Sequence, residues 1–346
     1  EPRLSVLEGQ HKTDGWLAID ATPADGHRLA LEHREGREER WADARERSGA
    51  RRWHRSDNQI ERRHSALAWE AEWDVGGGAS SALQAYRSEL DVLNVRTAGV
   101  AVNPPQCLTD QVLDGQWRQS FGGVALTGGF EARNESLQDP GLPGGSSLAR
   151  HRALFVQAET ALAPTLDLTA GLRHDRHDLF GEDWSPRAYL VWRAGGGWTV
   201  KGGTSHGFKA PNLKQIVPGG RREGPNTVLG NPDLAPETSD ALEAGAAWVR
   251  QGRELEVVLF DQRVRDLIEL RLVSPGPAPG IGTYVYENLA RARLRGLEAA
   301  WAEELGAGWR AQVNWTWLDA RGGDGEPLLQ RPRHAVGVRL DWRGGP

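Results

Sequence analysis

Eight arginines lie close together between residues 40 and 63, at positions Arg40, Arg45, Arg47, Arg51, Arg52, Arg55, Arg62 and Arg63. Only four acids interrupt them, which gives this stretch a local charge of +4 on a chain of net charge -5. Arginine forms charge-assisted contacts and stacks on rings, and tryptophan offers ring faces. Such residues suit a bulky anion that carries aromatic rings. The predicted vestibule for it comprises Arg51, Arg52, Trp53, Arg221 and Arg222.

The alternatives for this stretch are a solvated charged loop and a loop that binds anionic lipopolysaccharide. A second chemical candidate is His174-Asp175-Arg176-His177-Asp178, where two histidines lie three residues apart among carboxylates. Imidazoles with carboxylates can hold a divalent metal. The intervening arginine argues against a metal there, and we predict no metal site.

Motifs of catalysis are missing from the sequence. It has no GxSxG, HExxH or phosphate-binding loop, and Gly195-Gly196-Gly197 fits a turn between strands. The single cysteine, Cys107, excludes an internal disulfide and a multi-cysteine metal site. We therefore predict that the protein is not an enzyme and carries no covalently bound cofactor.

The composition of the 346 residues narrows the class of protein. An acidic balance, with a pI near 6.1, argues against a nucleic-acid binder. Hydrophobic residues make up 38%, and no apolar run reaches the ~20 residues of a membrane helix. The composition does not exclude a membrane β-barrel, because its strands need only ~9–11 residues with alternate apolar side chains.

Period-2 alternation recurs along the chain and predicts strands. Between Trp309 and Trp317, one face carries tryptophan, alanine and valine, and the other carries arginine, glutamine, asparagine and threonine. About 16 such strands are predicted. Short turns are expected at Pro23–Gly26, Gly76–Gly78, Ala163–Thr165, Gly195–Gly197, Gln251–Arg253 and Leu305–Ala307.

Longer polar loops are expected between these turns, at 35–62, 95–113, 135–150, 175–185, 207–237, 266–284 and 319–331. Glu38–Arg47 is interpreted as a solvated segment inside the first of them. Turns on one edge and long loops on the other are typical of an outer-membrane barrel. The predicted fold is therefore all-β, an antiparallel transmembrane barrel with short periplasmic turns and long extracellular loops.

Several segments resemble TonB-dependent outer-membrane receptors, whose two-part signature reads GFKAP…GNPDLKPETS. The first part matches Gly207, Phe208, Lys209, Ala210 and Pro211. The second matches Gly230, Asn231, Pro232, Asp233, Leu234, Pro236 and Glu237, with Ala235 in place of the usual lysine. Tyr286–Glu298 resembles the YxNxxxAxxxGxE motif of the family. Proline restricts the backbone on both sides, so we interpret the signature as mainly structural.

The resemblance is nearest the colicin I receptor and ferric enterobactin receptor branch, and it implies a function. That function is TonB-driven uptake of a ferric siderophore, of catecholate type, at the bacterial outer membrane. The implied partners are TonB, the siderophore as transported ligand, outer-membrane lipid, and colicins or phages that exploit the same loops. Alternatives are a passive pore or adhesin barrel, a soluble β protein such as a propeller, and, more distantly, an outer-membrane enzyme.

The family's barrel has 22 strands around an N-terminal plug. No plug or TonB box is recognisable in this sequence, and Gly344-Gly345-Pro346 differs from the family's terminal aromatic residue. Residues 1–346 are therefore expected to be a partial barrel domain without its plug and last strands. Two open edge strands would make such a piece unstable alone in lipid.

Overall fold

The structure, a computed structural model, describes residues 8–46, 50–102, 104–223, 226–276 and 280–344. They form one sheet of 17 strands. The strands are β1 (Glu8–Ala24), β2 (His27–Arg45), β3 (Trp53–Trp73), β4 (Ala79–Arg96), β5 (Gln106–Phe121), β6 (Val124–Gln138), β7 (Ser146–Ala163), β8 (Leu166–His177), β9 (Gly181–Gly195), β10 (Trp198–Lys209), β11 (Gly220–Glu223), β12 (Asn226–Leu229), β13 (Glu237–Arg250), β14 (Arg253–Pro275), β15 (Gly282–Gly306), β16 (Trp309–Gly322) and β17 (His334–Trp342).

Fifteen long strands form the wall, and each pairs antiparallel with the next. Within the wall, β10 pairs directly with β13. Between these two strands lie the short helix α1 (Leu213–Ile216) and the β11–β12 hairpin. Strand β12 pairs in parallel with β15. The all-β prediction is confirmed, with one strand more than expected, because the loop between β10 and β13 contains strands of its own.

In the part of the chain that the structure describes, helical structure is limited to α1 and a three-residue 3-10 segment, Pro143–Gly145. Among the described residues, no helix has the length and hydropathy that crossing a bilayer requires.

Side chains of the wall strands alternate between two faces, as the pleat requires. On β7 the apolar Leu154 and Val156 share one face and are 64% and 52% exposed. The opposite face carries Glu159, which forms an ion pair with Arg118 of β5. We call the apolar face the outer face, because it suits lipid, and the polar face the inner face.

Seven tight turns connect neighbouring wall strands at one end of the sheet. Six are the turns predicted from the sequence. The seventh, Gly122–Gly123, was missed, although both glycines have positive φ, the backbone conformation that favours glycine in tight hairpins. The longer connections lie at the opposite end, which confirms the predicted sorting of turns and loops.

The loop predicted around Arg40–Arg63 is wrong in its extent. Strand β2 continues to Arg45 and β3 starts at Trp53, so most of this stretch is a two-stranded ribbon. Glu38–Arg47 is likewise strand up to Arg45, and Arg47 lies outside the described residues. Both faces are polar here, so the alternation that marks strands in lipid is lost although the hydrogen-bond ladder continues.

Candidate functional site

The tip of the β2–β3 ribbon carries the first part of the predicted vestibule. Nε and Nη2 of Arg52 donate to the Glu46 carboxylate at 2.9 and 3.1 Å, and Nη1 donates to the Ala98 carbonyl at 2.9 Å. The backbone N–H of Arg52 also donates to Glu46. These bonds lower the pKa of Glu46 to about 2, so this carboxylate is charged at every physiological pH.

Arg51 and Trp53 at the same tip are accessible to a ligand. Arg51 is exposed, with a φ of 50°, and its carbonyl accepts a hydrogen bond from Arg45. Trp53 is 59% exposed, and the Arg45 guanidinium lies 6.0 Å from its ring centroid. Arg52 therefore holds the tip together, whereas the side chains of Arg51 and Trp53 remain accessible to a ligand.

Arg221 and Arg222, the second part of the vestibule, have backbones on β11, paired with β12. Their side chains lie outside the described part of the structure. Among the described residues, no hydrogen bond or ion pair joins the β2–β3 tip to the 207–237 segment. A vestibule built from both groups stays a prediction.

The 207–237 segment folds over the mouth of the barrel onto β6 and β7. Helix α1 begins with a capping box in which the Asn212 and Gln215 side chains bond to each other's backbone N–H. Leu213 and Val217 are 1% exposed and pack with Leu137 of β6 and Ala149 of β7. This small core, the α1 cluster, fixes the segment against strands far from its own in sequence.

The two halves of the family signature meet around this fold-back. Phe208 and Lys209 end β10 opposite Thr238 and Glu237, and the Lys209 ammonium lies 3.1 Å from the Glu237 carboxylate. A side-chain carbon added to Gly230 would lie only 1.9 Å from the Val217 carbonyl oxygen. The close approach explains why glycine is needed there.

Asparagines join the second half of the signature to the motif on β15. The Asn231 side chain donates to the Tyr286 carbonyl at 3.0 Å, and its oxygen accepts from the Asp233 N–H. Asn288 accepts from the Ala235 N–H at 2.8 Å and donates to the Ala235 carbonyl at 2.9 Å. These hydrogen bonds join the loop after β12 to strand β15.

Below the fold-back lies a cavity of about 540 Å³, which we call the chamber. The Gly207–Asn212 segment lines one side, and inner-face residues of β6 to β9 line the other. The wall residues that bring charge or imidazole to it are Arg133, Glu135, His151, Arg173, Asp175, His177, His206 and Lys209. Sequence reasoning missed the chamber, because its residues are scattered over five strands and share no local motif.

Charges in and beside the chamber are paired. His151 lies between Asp175 and Glu131, at 2.8 and 3.5 Å, and Arg173 contacts the same two carboxylates. Arg133 donates to both oxygens of Asp110, at 2.7 and 2.6 Å. Such a lining offers both donors and acceptors to a polar ligand rather than a purely basic surface.

The two histidines of the 174–178 stretch do not form a metal site together. Because they are three residues apart on a strand, their side chains point to opposite faces. His177 lines the chamber, whereas the His174 ring packs at a tilt of 32° against Trp184, with ring centroids 4.3 Å apart.

Glu89, Asp91 and Cys107 form a cluster whose ligand-type atoms lie within 4.8 Å of one another. The guanidinium of Arg63 already contacts both carboxylates, at 3.5 and 2.9 Å. The guanidinium of Arg63 therefore already supplies the positive charge that a metal ion would bring to these carboxylates. Burial first, and then the hydrogen bond to Asp91, raise the pKa of the Cys107 thiol.

We expect Cys107 to react slowly with iodoacetamide at pH 8, because the raised pKa keeps its thiol protonated and only the thiolate is nucleophilic. When the alkylation rate of Cys107 is measured against pH, the midpoint of the curve should lie at a higher pH for the folded protein than for the urea-denatured chain. Asp91→Asn should move the folded midpoint down. Equal midpoints in the two states would contradict the assigned environment.

Comparison with known proteins identifies the class of barrel. The family model described as "TonB dependent receptor-like, beta-barrel" matches residues 11–346. The chain is 29% identical over 309 residues to the iron-regulated outer membrane virulence protein of Vibrio cholerae, covering 83% of this chain and 45% of that protein. It is 32% identical over 227 residues to the ferric enterobactin receptor of Pseudomonas aeruginosa, covering 59% of this chain and 30% of the receptor.

Solved structures agree with this match. The siderophore receptor PirA of Pseudomonas aeruginosa superposes with a TM-score of 0.79 at 25% identity, covering 96% of this chain and 60% of that one. The ferric enterobactin receptor PfeA of the same organism gives 0.78 at 24% identity, covering 98% and 57%, which supports the fold alone. The chain spans less than half the length of the curated relatives it matches.

The match runs along nearly the whole chain, and the wall strands, sorted turns and interlocked signature fit it. The family is one of receptors rather than enzymes, in agreement with the sequence prediction. The barrel belongs in the outer membrane. The chain therefore belongs to the TonB-dependent receptor family, and it matches the β-barrel domain of that family.

Proposed function

We propose that this chain is the barrel part of an energised uptake receptor for ferric siderophores of the catecholate type. The observation that carries the proposal is the match of the barrel to proteins named as ferric enterobactin receptors. One of these, PfeA, is described in complex with enterobactin. The mouth supplies accessible Arg51 and Trp53, which suit an anionic ligand with aromatic rings.

Transport in this proposal depends on TonB acting through a plug domain, and the barrel contributes loops and a polar inner face. The test uses the product of the complete reading frame, expressed in cells that lack their own catecholate receptors. We expect uptake of ⁵⁵Fe-enterobactin in cells with TonB and its loss in cells without TonB. Uptake that is equal in both strains would favour the passive pore, and absence of binding and uptake in both would contradict a catecholate substrate.

The vestibule gives a more specific prediction. Arg51→Glu together with Arg52→Glu should weaken ferric-enterobactin binding about tenfold or more, because each charge-assisted contact contributes about 1.5–3 kcal/mol. Affinity is measured on the purified receptor by quenching of tryptophan fluorescence. Unchanged affinity would remove these residues from the site.

Two further variants separate binding from folding of the tip. Arg51→Glu alone leaves the Arg52–Glu46 contacts intact, and its effect therefore reports on ligand contact. The matched control is Arg150→Glu with Arg176→Glu, two exposed arginines of β7 and β8 outside the vestibule. We expect the control to bind as the unmodified receptor does.

A further inference from the structure

The wall of the barrel is split between β9 and β10 at the end that carries the long loops. The ladder between these strands stops at the pair Ser205–Arg187, although β9 begins at Gly181 and β10 ends at Lys209. Beyond that pair, β9 stays paired with β8 and β10 stays paired with β13. The facing edges of β9 and β10 therefore have no ladder over their last few residues.

Proline gives a physical reason for the split. Pro186 comes directly beyond Arg187 on β9, and proline has no backbone N–H to donate to a neighbouring strand. Proline in a sheet is therefore found where one side of the strand lacks a partner. Pro186 still lies opposite Leu172 of β8. The ladder thus ends on the β10 side only.

The chain beyond the split leans across the inside of the wall, and we call its first part, His206–Val217, the arm. The far end of the arm belongs to the α1 cluster on β6 and β7. The near end lies at the split, where Ser185 of β9 and His206 of β10 both line the chamber. The split therefore reaches the chamber from the side of the wall.

The imidazole of His206 spans the split. Its Nδ1 lies 2.7 Å from Oδ1 of Asp240 on β13, and its Nε2 lies 3.4 Å from Oδ2 of Asp183 on β9. The side chains of His206 and Asp183 are each 18% exposed. Within the described ranges of the chain, this is the only hydrogen bond or ion pair that joins residues 181–186 of β9 to the arm or to β13.

The contact across the split depends on the protonation of His206, because both ring nitrogens face carboxylates. A protonated imidazole has two N–H donors, whereas a neutral imidazole has one donor and one lone pair. Asp240 is nearer to the ring and belongs to a strand that is paired with β10. In the neutral ring the single donor therefore stays with Asp240, and the contact with Asp183 is lost.

Other charges around His206 do not replace this contact. Arg265 of β14 contacts Asp240 at 2.6 Å, and Arg263 lies opposite Asp240, so both face it from the side away from β9. In the part of the chain that the structure describes, no other charged or titratable residue of the chamber contacts His206 or Asp183. Those residues are Arg133, Glu135, His151, Arg173, Asp175, His177 and Lys209.

We propose that His206 is a positioning residue that closes the split while it is protonated, and that its deprotonation opens the chamber to water through the side of the wall. Histidine suits this role because its charge changes within the range of ordinary environments. The α1 cluster is apolar and holds the far end of the arm at any pH. The movement is therefore confined to the arm near His206 and the facing edge of β9. This inference concerns the wall and is independent of the siderophore proposal.

The test uses the receptor from the complete reading frame, in detergent micelles, with 4-fluorophenylalanine in place of phenylalanine. Phe208 lines the chamber, and its ¹⁹F signal is assigned by its loss in Phe208→Leu. A dissolved gadolinium chelate relaxes the signal more strongly as Phe208 becomes more exposed. Spectra are compared at about pH 5 and about pH 9, on either side of the ~6.5 at which an unperturbed histidine titrates. We expect about a tenfold larger open fraction at the higher pH, in keeping with loss of one charge-assisted contact.

Two variants assign the effect to His206. His206→Gln and, separately, Asp183→Asn should give strong relaxation that is equal at both pH values. Asp183→Asn retains an oxygen that accepts from Ser185, so it tests the proposal even if His206→Gln fails to fold. The matched control is His174→Gln, because His174 contacts Glu182 within the β8–β9 hairpin and does not cross the split.

We expect the control to keep the pH dependence of the unmodified receptor. Equal relaxation at both pH values in the unmodified receptor would overturn the proposal. A pH dependence that persists in His206→Gln and Asp183→Asn, or one that disappears in His174→Gln, would overturn it as well, because the effect would then come from another group.

Discussion

Gly230→Ala should detach the 207–237 segment from the mouth of the barrel. The added carbon would lie 1.9 Å from the Val217 carbonyl oxygen and 2.7 Å from its carbon, and both are backbone atoms that cannot rotate away. Val217 is buried in the α1 cluster, so relief requires the cluster to open. Overpacking of this kind costs about 3 kcal/mol, and the amides of residues 213–217 should exchange roughly a hundred times faster with solvent.

The matched control is Gly337→Ala on β17, where no heavy atom lies within 4 Å of the added carbon. Hydrogen exchange followed by mass spectrometry compares the two variants with the unmodified receptor. Slow exchange of residues 213–217 in Gly230→Ala would mean that the segment is not held at this contact. Ferric-enterobactin affinity measured alongside would show whether the fold-back also forms the ligand site.

Asn288→Ala should have an effect of similar size through lost hydrogen bonds. Its side chain accepts from the Ala235 N–H and donates to the carbonyls of Ala235 and Asp266, at 2.8, 2.9 and 2.6 Å. Asp266 has a φ of 55°, a conformation that asparagine and aspartate tolerate better than most residues. Three bonds of about 1 kcal/mol each predict about 3 kcal/mol of local destabilisation.

The measurement is the exchange rate of the Ala235 amide, which should rise about a hundredfold in Asn288→Ala. Asn314→Ala is the control, because Asn314 is exposed on the inner face of β16. Equal exchange of Ala235 in both variants would contradict the role assigned to Asn288.

Strands within the apolar band could be predicted from the sequence, because lipid and the polar lumen impose opposite demands on alternate residues. Trp309–Trp317 shows this clearly, and β16 covers it. Six turns were located by glycine, proline and polar residues between such runs. The Gly122–Gly123 turn was missed, although it has two residues like five of the turns that were located.

Strands above the membrane could not be predicted in the same way. Between Glu38 and Arg45 five of the eight residues are charged, and these fall on both faces of the strand while the ladder continues. Sites that combine residues distant in sequence could not be predicted either. The chamber combines Arg133, His151, Arg173 and the Gly207–Asn212 segment, and the side-by-side pairing of β6 to β10 brings these together.

The signature was recognisable because it is local, but its partners were not. Asn231 contacts Tyr286, and Ala235 contacts Asn288, across more than 50 residues. The family resemblance placed both motifs in the chain without indicating that they bond to each other. Their pairing gives a physical reason for asparagine at both positions.

The length of the β2–β3 ribbon determines how far its tip stands above the lipid surface. Its strands have 19 and 21 residues, and about ten of each suffice for the bilayer. The rest rises roughly 25 Å above the lipid, at about 3.3 Å per residue reduced by the strand tilt. A large molecule that approaches from outside would therefore meet Arg51 and Trp53 before any residue of the chamber.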